Sequence, residues 1–70
     1  MTAKVRTHVH PSELRVGDIL VNEPGTPMVH RLTRHEDHTH VYGTKRNGDR
    51  MGLTLFDDDN PTLTVEREER

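Results

Sequence analysis

Four of the six histidines in this 70-residue chain fall within eleven residues: His30, His35, His38 and His40, in the run H-R-L-T-R-H-E-D-H-T-H. Imidazole is a ligand for zinc, copper and nickel. It also changes charge near neutrality, and its ring nitrogens can donate to an anion. The run is therefore open to a metal site, a pH switch or a phosphate contact. His8 and His10 form a second H-x-H pair. Alternate residues of a strand sit about 6–7 Å apart on one face, near enough to share an ion. Glu36 or Asp37 can add an oxygen.

The chemistry depends on the elements that present these rings. Leu, Ile, Val and Phe supply only 15 of 70 residues. The chain is long enough for one domain, residues 1–70, with a thin core. A thin core favours a partner, or a second copy, over some of the apolar surface. Net charge is −2, so self-repulsion does not hold the chain open. It also lacks the strong basic footprint of most nucleic-acid binders. Without cysteine, disulfides and thiolate metal sites are excluded. No apolar run approaches the ~20 residues of a membrane span, and the N-terminus has no apolar signal core. A cytoplasmic protein is expected.

Hydrophobic alternation with period two predicts short strands over Lys4–Val9, Ile19–Asn22, Met28–Arg34, His38–Thr44, Arg50–Phe56 and Thr62–Glu66. Pro11 to Leu14 reads as a single tight turn. Pro24-Gly25 suits the centre of a type II turn. Asn47-Gly48 is a hairpin signal, Asp57 to Pro61 a polar turn, and Arg67 to Arg70 a charged tail. The expected fold is all-β: a small antiparallel barrel of five to six short strands, a meander from the second strand onward.

Registers follow from burial. With Glu36-Asp37 at the hairpin tip, His35 faces His38, Thr33 faces His40, Leu32 faces Val41, Arg31 faces Tyr42 and His30 faces Gly43. His30, Leu32, Val41 and Gly43 then look into the core, with Arg34 and Thr39 near the tip. Arg31, Thr33, His35, His38, His40 and Tyr42 look out. A two-residue Asn47-Gly48 turn would set Leu53 and Leu55 beside the histidines. A three-residue loop, Arg46 to Gly48, instead pairs Val41 with Leu53 and Thr39 with Leu55. One residue of slip flips every side chain, so burial selects the longer loop and requires positive φ at Gly48. Ile19, Val21, Leu63 and Val65 are expected to join the core, Phe56 to lie in it or at its edge, and Leu14 to plug one end.

The phrase L-R-V-G-D-I-L, residues 14–20, leads into this meander. It resembles the opening of SH3-like small β-barrel domains, over seven residues in motif and most of the chain in topology. The resemblance implies a barrel that binds peptides, proteins or nucleic acid, and it brings no catalytic residue. Arg outnumbers Lys eight to two, which resembles proteins of GC-rich genomes such as an actinobacterium or its phage.

These readings order the functions. Catalysis has no support: Ser12 is the only serine, and no nucleophile, base and orienting acid can be placed together. No cofactor is expected. The Asp57-Asp58-Asp59 run lacks the ligand spacing of a calcium loop. For metal the candidates are His35, His38 and His40, but an exposed tip offers nothing to orient the rings, so no metal site is expected. The expected function is a non-enzymatic protein-interaction module, aimed at a host or virion partner if phage-encoded. Its face is Arg31, Thr33, His38, His40 and Tyr42 with Lys45 and Arg46. The alternative is a small nucleic-acid-binding accessory, in which Tyr42 stacks a base while Arg31 and His40 meet phosphate.

Overall fold

A computed structural model describes residues 3–59 and 62–69. Among these described residues, six antiparallel strands form one sheet: β1 (Ala3–Val9), β2 (Ile19–Leu20), β3 (Met28–Arg34), β4 (His38–Thr44), β5 (Arg50–Phe56) and β6 (Leu63–Glu69). Their spatial order is β1-β6-β2-β3-β4-β5. The sheet is all-β and antiparallel as expected, but it is open, with β1 and β5 at its edges. β2 to β5 form the expected meander. β6 departs from it, crossing back to lie between β1 and β2.

Charge is complementary across the β1–β6 ladder. Lys4 stands opposite Glu68 and Arg6 opposite Glu66 in the β1–β6 ladder. Opposite charges across a ladder contribute about 0.2–1 kcal/mol each. The exposed Arg6–Glu66 pair, at 3.8 Å, belongs at the low end. Val65 meets Thr7 and Leu63 meets Val9 on the other face. Thus Arg67 to Glu69, read from sequence as a tail, complete a seven-residue strand.

Each strand sends one residue into the core: Val9, Leu20, Val29, Val41, Leu55 and Val65, with Leu14 from the loop before β2. A lone sheet buries a face this way only by curling on itself. Side chains of this kind contribute about 1.5–3 kcal/mol each when fully buried. A 3-10 turn, Pro11–Glu13, closes one end. His10 caps it by accepting from the Ser12 N–H at 3.2 Å, and the His10 N–H donates to Glu13 Oε1 at 2.9 Å. The Thr39 hydroxyl donates to the Pro11 carbonyl, tying this cap to β4 at 3.4 Å.

The β4–β5 register is the expected one. Val41 pairs with Leu53 and Thr39 with Leu55, and Gly48 has φ +96°. Gly25 has φ +80°, and the Thr26 N–H donates to the Glu23 carbonyl, closing the Pro24-Gly25 turn. Two details differ. β2 is only two residues long, and Leu20, not Ile19 or Val21, is its buried side chain. The β3–β4 register holds from Arg34 to Arg31 and then shifts by a bulge, so Val29 faces Gly43. Val29 takes the core position and His30 is exposed. Phe56 is likewise exposed, where the sequence placed it in the core or at its edge.

Candidate functional site

The β3–β4 hairpin gathers the central histidines. The His35 N–H donates to the His38 carbonyl at 2.8 Å, so Glu36 and Asp37 form the tip. His40 follows His38 by two residues and therefore shares its face. The His35 and His38 rings stack with centroids 4.5 Å apart, and His40 meets both edge-on at 5.0 Å. One ring nitrogen from each of the three lies within 4.8 Å of the others.

The tip is braced, contrary to the sequence expectation. Arg34 at the end of β3 grips Asp57 beyond β5 through both terminal guanidinium nitrogens, at 2.8 and 2.6 Å, and donates to Thr39 at 2.9 Å. The Asp57 N–H donates to the Asp37 carbonyl at 3.0 Å. His38 Nδ1 meets Asp37 Oδ1 at 2.6 Å, and His40 Nδ1 meets Thr54 Oγ1 at 2.8 Å. The Phe56 ring stands 5.3 Å from His38. Arg34 holds the Asp57 carboxyl below the usual carboxylate range, first through its hydrogen bonds and then through its charge, against the effect of burial. The His38 hydrogen bond lowers Asp37 in the same sense.

Farther along β4, Tyr42 stands opposite Arg31 on one side and Gly52 on the other. Its ring lies beside Gly52, where an added Cβ would lie 3.5 Å from Cδ1 and Cε1. The residue stays 49% exposed. Thr33 is half-buried opposite His40. His38, His40 and Tyr42 thus line one face of β4, with Arg31 and Thr33 beside them, as the sequence implied.

Lys45 and Arg46 lie at the far end of this strip. From His38 to Thr44 it runs roughly 20 Å, at about 3.3 Å per residue. The Arg46 N–H donates to the Gly25 carbonyl at 2.9 Å. Both residues line a groove of about 680 Å³ with Lys4, Arg6, His30 and Glu66 over Ile19 and Met28. Lys4 and Arg6 were not among the expected site residues. Their place beside Lys45 follows from the β1–β6–β2 order, which short-range pattern does not encode.

His8 and His10 do not join the histidine group. His8 Nδ1 meets Thr64 Oγ1 at 3.0 Å, and His10 caps the 3-10 turn. Asp18, also missed from sequence, is buried and paired with Arg67 at 3.0 and 2.6 Å. Comparison with protein-family models, curated proteins and solved structures finds no match. Among the described residues, no helix is long and apolar enough to cross a membrane.

Proposed function

We propose that this chain is a non-enzymatic binding module whose β3–β4–β5 face engages a protein partner. One observation carries the reading: the Tyr42 ring rests beside Gly52, half-exposed, with Arg31 directly opposite it across the β3–β4 ladder. Tyr and Arg are the residue types most often dominant in interface energy. An aromatic ring already fixed in place loses little freedom on binding. Arg31 adds a planar donor fork for a carboxylate or carbonyl of the partner. Thr33, His38 and His40 extend the polar rim toward the tip, and Lys45 and Arg46 extend it the other way. The reading keeps the cytoplasmic setting and the actinobacterial or phage source expected from composition, with a host or virion protein as partner.

A second reading rests on its own observation. The groove collects Lys4, Arg6, His30, Lys45 and Arg46 against Glu66 alone, a local cationic surface on an acidic chain. It suits the phosphate backbone of a nucleic acid.

Capture from cells of the source, followed by titration of the purified captured protein, separates the two. Binding through the Tyr42 face persists in about 0.5 M salt, whereas phosphate-led binding collapses through counterion release. Tyr42→Ala and Arg31→Ala are each expected to weaken the titrated complex by roughly 30-fold or more, the range of interface hot spots. A folded double variant that binds as tightly as the wild type overturns the assignment of this face.

A further inference from the structure

We propose that His35, His38 and His40 form a binding site for a divalent transition-metal ion of the zinc class, with three nitrogen ligands and one position open to solvent. This inference does not rest on the protein-binding reading, although His38 and His40 also belong to the rim of that face. Among the described residues, this is the group of three metal-ligating side chains whose donor atoms converge, all within 4.8 Å. Zinc–nitrogen bonds of 2.0–2.1 Å in tetrahedral geometry place donors about 3.3 Å apart. Closing the remaining distance takes side-chain rotation alone, because the hairpin backbone already sets the three rings on one face. His35 is exposed and can swing inward, while His38 and His40 are half-buried.

The surroundings distinguish this group from surface histidines. A ligating imidazole is generally oriented by a hydrogen bond from its other nitrogen. His38 has that bond through Nδ1 to Asp37 Oδ1, and His40 has it through Nδ1 to Thr54 Oγ1. Both leave Nε2 as the nitrogen for a ligand. The carboxylate also offsets part of the ion's charge. The Arg34–Asp57 clamp and the Asp57 to Asp37 hydrogen bond hold the tip against β5, and Phe56 screens one side of His38. Nitrogen ligands without sulfur select zinc, copper, nickel or cobalt over magnesium and calcium, which take oxygen.

The test is calorimetric titration of the full chain with zinc chloride, and separately with magnesium chloride. One zinc per chain is expected, with no heat from magnesium. Cobalt(II) should give the intense visible bands of a four-coordinate ion. His40→Ala should abolish the site. Thr54→Val and Asp37→Asn leave every ligand in place and should weaken zinc about 10–100-fold, as loss of an orienting partner does. The His8→Ala, His10→Ala double variant should bind as the wild type does. Absence of zinc binding overturns the proposal. So does zinc affinity indifferent to Thr54→Val and Asp37→Asn in variants whose melting without metal shows them folded.

Discussion

Replacing Asp18 with alanine should remove a large share of this domain's stability. The carboxylate is 2% exposed. It accepts from Arg67 Nε at 3.0 Å and from a terminal nitrogen at 2.6 Å, and from the Arg15 N–H at 2.9 Å. Removing one partner of a buried pair costs about 3–5 kcal/mol, because the other charge is left without compensation. Arg67 keeps 19% of its side chain in water, which places the cost near the bottom of that range, about 3 kcal/mol. A 70-residue domain holds roughly 4–10 kcal/mol in all. At about 4–8 °C per kcal/mol for a domain of this size, the midpoint should fall by roughly 12–24 °C. Circular dichroism melts at neutral pH measure it. The Asp18→Leu, Arg67→Met double variant provides the control. Apolar groups of similar volume commonly replace a buried pair at little cost, so the double variant should be more stable than Asp18→Ala. A fall below ~4 °C for Asp18→Ala, less than about 1 kcal/mol, would show that the pair is not a stabilising lock and refute this reasoning.

Two glycines should respond to alanine for different reasons. At Gly43 an added Cβ would clash with the Met28 carbonyl oxygen. Backbone cannot rotate away, so a loss of about 1–3 kcal/mol is expected from overpacking. Gly48 has open space around it but φ +96°, so Gly48→Ala should cost about 1–2 kcal/mol from conformation alone. Urea unfolding measures both, and a Gly43→Ala variant as stable as the wild type would contradict the close approach at the bulge. The Arg34–Asp57 clamp predicts an acid limb. Since Asp57 titrates lower in the folded state than in the unfolded chain, its contribution is complete above the unfolded value near pH 4 and disappears as pH falls through the folded one. Asp57→Asn should flatten the fall in melting temperature between about pH 7 and pH 3; an unchanged slope would assign that acid sensitivity to other carboxyls.

Much of the central sheet was legible because its cause is local. Alternation around Val41 and the turn chemistry of Glu36-Asp37 and Asn47-Gly48 leave one register that buries Leu55 and Val41 together. The same logic placed Arg31, Thr33, His40 and Tyr42 on one outer face. His30 escaped it because the bulge depends on how closely the Met28 carbonyl can approach Gly43. That approach is a property of two strands packed together.

The sequence by itself determined the all-β class, the β4–β5 register, the tip half of the β3–β4 register and the clustering of His35, His38 and His40, since these follow from periodicity over a few residues. Tertiary structure decided where β6 goes, because the basic face of β1 and the acidic face of β6 meet only after the chain has crossed the sheet. It brought Arg67 to Asp18 and Lys4 to Lys45. It also set Thr54 and Asp57 against the hairpin tip. An exposed tip gives a histidine no orientation, but a neighbouring strand does. That neighbour makes three nearby imidazoles a candidate metal site.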